Sequence, residues 1–171
     1  MAKADLTAQR LRELLYYNPE TGRFTWRVSR RGSAARAGQE VLERVNDNGY
    51  ALVGVDRCSH RAHRLVWLHV HGVWPVKFID HINGVRTDNR LANLREATNA
   101  ENLQNLRYAK SHSSHGFLGV TYSKTNSRWI GQITRDGQHF YLGSFKTVEE
   151  ARAAYIGAKK VLHAFAPQQD E

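Results

Sequence analysis

The chain has 171 residues and a mass of 19.5 kDa, room for one ordinary domain or two small ones and too little for a large single enzyme fold. Apolar residues make up 41% and charged residues 24%, enough to build a core and too few like charges to keep the chain wholly disordered. Lys and Arg number 25 against 16 Asp and Glu, a formal charge of +9 with a sequence pI near 10.0, which points to a polyanionic partner, nucleic acid foremost.

Cys58 is the only cysteine, which excludes an internal disulfide and a four-thiolate zinc site. The N-terminal stretch lacks an apolar core of signal-peptide length, and no segment approaches the roughly 20 apolar residues of a membrane span. A cytoplasmic protein with no membrane partner is expected.

In chain order, Leu6, Leu11, Leu14 and Leu15 recur at helical spacing behind Asp5, a candidate N-cap, and Asn18 to Gly22 supplies strong turn residues. Phe24, Trp26 and Val28 alternate as in a half-buried strand. Ser29 to Gly38, small and basic, reads as a loop that either lies along phosphates or is simply solvated. Asn48-Gly49 precedes a strand-like run from Tyr50 to Val55, and Arg61 to Val70 reads as an apolar strand-to-helix segment ended by Pro75.

Asn83-Gly84 marks a turn after Phe78 to Ile82. Thr98-Asn99-Ala100-Glu101 matches a capping box opening a helix, on which Leu103 and Leu106 are spaced to bury one side and leave Asn102 and Asn105 on a polar flank. Lys110 to Gly116 is polar and small, and a domain boundary is placed there. Beyond it Val120 and Tyr122, Trp129 and Ile133, and Phe140 and Leu142 alternate onto one face, with Asp136-Gly137 as a hairpin turn. Thr147 to Glu150 is a second capping box, and Ala151, Ala154, Tyr155, Ala158 and Leu162 make a small-residue face able to pack on a sheet.

The middle segment concentrates the residue types that phosphodiester chemistry needs. Asp80 and the Asn102 carbonyl are hard oxygen donors of the kind a magnesium-like ion prefers, and such an ion keeps most of its waters. His81, with an ordinary pKa near neutrality, suits proton abstraction from an attacking water. Taken singly, each of these residues is better explained by local hydrogen bonding in turns and caps, and it is the combination that shifts the weight. Adjacent strand residues point to opposite faces, so Asp80 and His81 share a site only at a strand end or irregularity. Cys58, His60, His63, His69 and His71 match none of the usual zinc spacings; His63 and His69 read as partly buried polar residues and Cys58 as a strand residue.

His63-Arg64-Leu65-Val66-Trp67, Trp74-Pro75, Asp80-His81-Ile82-Asn83-Gly84, Asn89-Arg90-Leu91, Asn93-Leu94-Arg95 and Glu101-Asn102 follow one another in an order that resembles the HNH nucleases of phage and homing type, in which the motif opens with Asp-His and closes with Asn. The resemblance implies a ββα-metal fold over about 63–107, His81 as general base, Asp80 and Asn102 as metal ligands, and Asn93 bracing the loop that positions His81. Asn102 in place of a closing His favours Mg2+, with Mn2+ as the other candidate, over softer metals.

The C-terminal third, through Gly116-Phe117-Leu118-Gly119-Val120, Arg128-Trp129, Tyr141-Leu142-Gly143 and Thr147 to Ala151, resembles the plant ethylene-response-factor (Apetala) type DNA-binding domain, which lays three strands in the major groove. Strand parity puts Thr121, Ser123, Arg128, Gln132, Thr134, His139 and Tyr141 on the face away from the helix. Lys124, Arg128 and Arg135 are candidate phosphate contacts.

The expected architecture is α+β: an N-terminal nuclease region over 1–109, a linker over 110–116, and over 117–167 a small three-stranded antiparallel sheet packed on one helix. The expected function is metal-dependent hydrolysis of duplex DNA, by a monomer or a homodimer. The alternatives are a non-enzymatic DNA-binding protein that keeps both modules, and an RNA-binding protein.

Overall fold

The structure, a computed structural model, describes residues 6–29, 35–105 and 116–163. The chain divides into two compact units, Met1–Ala97 and Thr98–Glu171. Apart from Gly116, the expected 110–116 linker lies outside the described residues.

The first unit opens with helix α1 (Ala8–Leu14), capped by Thr7, whose hydroxyl accepts from the Arg10 amide. Asp5, the expected cap, lies outside the described residues. The helix stops one leucine sooner than the spacing predicts. Leu15 begins strand β1 (Leu15–Asn18), paired antiparallel with β2 (Arg23–Trp26) so that Leu15 faces Trp26. Leu11, Leu14 and Leu15 are apolar in either conformation, and pairing with β2 decides between them. Val28, expected to continue the alternation, lies past the end of β2. The β1–β2 turn rests directly on a later loop: Gly22 has φ +73°, and a Cβ there would come within 2.5 Å of the Arg90 nitrogen.

Strands β3 (Arg44–Val45), β4 (Ala51–Val55) and β5 (Cys58–Arg61) form an antiparallel sheet in that order. Ala51, Val53 and Val55 alternate inward, and Arg61 leads directly into helix α2 (Ala62–His71), which buries Leu65, Val66 and Leu68. These residues and the leucines of α1 and β1 make one core. Gly72 ends α2, not Pro75: it adopts φ +80°, and its amide returns to the Leu68 carbonyl, a left-handed cap that glycine supplies without strain. Strand β6 (Phe78–His81) then pairs antiparallel with β7 (Leu94–Ala97), joined by a loop that closes in a single 3-10 turn, Leu91–Asn93.

The second unit begins with α3 (Asn99–Gln104), which follows β6 and β7 to complete the chain order ββα. Both halves of its capping box are made, Thr98 with the Glu101 amide and Glu101 with the Thr98 amide. The expected apolar side does not form among the described residues. Leu103 is half exposed and no residue of α3 is buried, while Leu106 lies outside the described residues.

Strands β8 (Val120–Ser123), β9 (Arg128–Arg135) and β10 (Gln138–Phe145) make an antiparallel sheet with β9 in the middle. Asp136 and Gly137 both take positive φ in the β9–β10 turn, the conformation that a two-residue hairpin requires. Helix α4 (Val148–Leu162) packs on the sheet with Ala151 fully buried, its second capping box complete at Thr147 and Glu150. A Cβ at Gly119 would overlap the Tyr155 ring, so helix and strand approach there as closely as they can. The architecture is the expected α+β arrangement of small antiparallel sheets and helices. No helix of the described residues is long and apolar enough to cross a membrane.

Candidate active site

His81 is the last residue of β6, the strand end that sharing a site with Asp80 requires. The strand ends there in a turn closed by the Gly84 amide on the His81 carbonyl at 2.8 Å, with Gly84 at φ +70°. Asp80 and His81 are both buried, 5% and 4% exposed. A buried carboxylate needs partners. Arg95, directly across the ladder from Asp80, supplies them through Nε and Nη2, at 3.0 and 2.9 Å from the same carboxylate oxygen.

His81 is held by a residue whose part the sequence did not single out. Asn89, 2% exposed, places Oδ1 3.2 Å from His81 Nε2, while its Nδ2 donates to the Thr87 carbonyl. An amide oxygen only accepts, so Nε2 carries the imidazole proton and Nδ1 carries the lone pair. Burial pushes the His81 pKa below its ordinary value; the Asn89 bond and the charges of Asp80 and Asp88 oppose that shift and Arg86 reinforces it. The imidazole is therefore neutral at physiological pH, the form a general base requires.

The loop behind His81 is braced by amides. Asn93 accepts from the Asn83 amide and donates to the Asp88 carbonyl, both at 2.8 Å, and its own carbonyl accepts from Ile82. Asn83 in turn donates to Asp88, and Arg90 grips the same carboxylate through two nitrogens. The bonds from Arg90 hold the Asp88 carboxyl down at about 2. Tyr17 of β1 donates its hydroxyl to the Asn89 carbonyl at 2.9 Å, tying the loop to the core.

His63 is more deeply placed than its sequence position suggests. It is 3% exposed, its ring stands edge-on to His81 with centroids 5.1 Å apart, and its Nδ1 has no hydrogen-bond partner. Burial, reinforced by the charges of Arg61 and Arg64 and by His81 whenever that ring is protonated, pushes its pKa to about 3. The only signal for this in the chain was its place at the start of α2, just after β5. His69 is partly buried, against Tyr17 and Phe24.

Asn102 lies within the second unit, on α3. Among the described residues no three His, Cys, Asp or Glu side chains cluster as a protein cage for a metal. Within the first unit the buried Asp80 carboxylate is the hard oxygen donor that suits a divalent ion keeping several waters.

In the second unit the register puts Thr121, Ile130 and Ser144 across one line of the sheet face turned from α4, Gln132 with Tyr141 on the next, and Thr134 with His139 on a third. Thr121, Gln132, Thr134, His139 and Tyr141 are exposed, Ser123 and Arg128 partly so, and Lys124 stands exposed in the β8–β9 turn. Thr134 Oγ1 and His139 Nδ1 are 2.8 Å apart. Ile130 and Ser144 join this face unpredicted. A register shift between Tyr141 and Gly143 inserts one residue, so Ser144 lands where simple alternation from Tyr141 would not put it. The inner face pairs Tyr122 with Trp129, ring centroids 5.0 Å apart.

The family of HNH endonucleases matches residues 60–104, which run from β5 to the end of α3. Protein 3.8 of Escherichia phage T7 is 33% identical over 107 residues, an alignment covering 62% of this chain and 88% of the phage protein. No solved structure matches the chain.

Proposed function

The chain belongs to the family of phage protein 3.8 and carries an HNH endonuclease domain at 60–104, and from that premise we propose that it is a metal-dependent endonuclease of duplex DNA, phage-borne or of homing type, acting in the host cytoplasm. The observation that carries the reading is the buried pair Asp80 and His81, with His81 Nε2 anchored on Asn89. Few structural needs explain a neutral imidazole fixed in one tautomer beside a carboxylate at a strand end.

In this mechanism His81 Nδ1 takes a proton from a water as that water's oxygen bonds to phosphorus. The bond from phosphorus to the leaving strand end breaks, and the freed oxygen takes a proton from solvent. Asp80 and Asn102 would hold the divalent ion, with Mg2+ favoured and Mn2+ the other candidate. Bound there, it supplies positive charge to the scissile phosphate and the leaving oxygen. Asn89 fixes the His81 tautomer, and Asn93 keeps the loop from drifting. Arg95 offsets the Asp80 charge and sets the direction of its carboxylate.

The sheet β8–β9–β10 serves, in this proposal, to hold duplex DNA through Thr121, Ser123, Lys124, Arg128, Gln132, Thr134, His139 and Tyr141, in the manner of the plant domain that it resembles. Tethering raises the local concentration of the nuclease at its site without a new catalytic contact. One active centre per chain makes a single-strand nick the elementary event, from monomer or homodimer alike. The test is conversion of supercoiled plasmid with magnesium, with manganese and with excess chelator; cutting that persists in chelator overturns the metal dependence.

A further inference from the structure

Tyr50 follows a turn pinned by Asn46, whose Oδ1 accepts from the Asn48 and Tyr50 amides at 3.1 and 3.0 Å. Its ring stands 5.2 Å from His63 and 6.1 Å from His81, centroid to centroid. Two guanidiniums converge on that same ring: Arg61 at 4.9 Å and Arg86 at 5.0 Å from its centroid. Arg86 is further fixed by donating to the Asn48 carbonyl at 2.6 Å. Both arginines are exposed.

Among the described residues neither Arg61 nor Arg86 has a carboxylate within ion-pair distance, whereas Arg10, Arg90 and Arg95 each hold one. An aromatic face attracts each cation, yet two like charges brought to one ring repel each other. An anion bound by both offsets that repulsion. The planar fork of a guanidinium matches two phosphate oxygens at once, and each arginine keeps donors to spare.

We propose that Arg61 and Arg86, held at the Tyr50 ring beside His81, form a clamp for a backbone phosphodiester that seats the DNA strand at the reaction centre. The proposal rests on the endonuclease reading for the identity of the strand, and it adds two binding residues that are neither the proposed base nor the proposed metal ligands. Because the turn and the ring pre-position both guanidiniums, little side-chain freedom is lost when the phosphate arrives.

The test is binding of a short duplex in chelator, where no cutting occurs, over a salt series by fluorescence anisotropy. Wild type is compared with Arg61→Gln, Arg86→Gln, the double variant and Arg86→Lys. The slope of log affinity against log salt concentration is expected to shrink by about one for each phosphate contact removed. The weakening is expected to be the same on unrelated sequences, and Arg86→Lys is expected to restore the slope. Slopes equal to wild type in both single glutamine variants, with unchanged circular dichroism, would overturn the clamp. Failure of the endonuclease reading would instead show as a wild-type protein that cuts no plasmid, and it leaves the slope comparison intact.

Discussion

Asp80, His81, Asn89 and Asn93 are no more than 8% exposed, while Tyr141 on the outer sheet face of the second unit is 67% exposed. Each of these four side chains of the first unit is removed from water and held by named partners, so its orientation is fixed and its loss leaves another buried group unsatisfied. In the second, the polar groups of β8 to β10 stand in solvent on a scaffold whose stability depends on the opposite face. A buried constellation is suited to chemistry that needs one tautomer at one position, and an exposed one to contacts made mainly through charge and shape. Substitutions should therefore separate the two units by both size and kind of effect.

The largest effect is expected from His81→Ala, which removes the proposed base: plasmid cutting falls by about a thousandfold. Duplex affinity measured in chelator stays within a few-fold of wild type. Asn89→Ala comes next, because it frees the His81 ring and leaves its Nε2 proton without the amide. About a tenfold to hundredfold loss of cutting and about 1–3 kcal/mol of stability are expected. Denaturant unfolding beside nicking kinetics measures both.

His63 allows a sharper comparison through pH. Its folded pKa of about 3 lies below the unfolded value near 6.5, so below pH 6.5 the unfolded chain binds a proton that the folded chain refuses. Stability is fully present above that pH and declines as pH falls toward 3, by about 1–2 kcal/mol between pH 7 and pH 5. Denaturation curves at the two pH values should show this in wild type and lose most of it in His63→Gln. An equal acid loss in the variant would mean that other groups carry it.

The smallest effects belong to the outer sheet face. Gln132→Ala and Tyr141→Ala should change stability by less than about 0.5 kcal/mol and weaken duplex binding by less than about tenfold. Arg128→Gln should lower the salt slope by about one. A loss of cutting at saturating DNA in any of the three would erase the distinction between the units.

Local signals carried much of this structure. Both capping boxes, the Asp136-Gly137 hairpin and the alternation of β8 to β10 up to the shift after Tyr141 depend on neighbours in sequence, and they stand as the spacing predicts. What went unread depends on partners far along the chain. Leu15 becomes a strand because Trp26 lies opposite it. Asp80 meets Arg95 only through the β6–β7 register, and Asn89, a loop residue by composition, is buried because the Gly22 turn and Tyr17 close over it. The same reason hid Tyr50: the turn-forming residues Asn46 to Gly49 announce a bend, but nothing local says that His63, His81 and two arginines will gather round the ring that follows.

The central claim is that His81, buried and anchored on Asn89, is the base of a divalent-ion-dependent DNA endonuclease. Its most direct test is purified wild type against His81→Ala on supercoiled plasmid, each with magnesium and with excess chelator, beside duplex binding by both proteins. The account predicts nicked or linear product from wild type with magnesium alone, and none from the variant although it still binds DNA. Cutting by His81→Ala at the wild-type rate would contradict it.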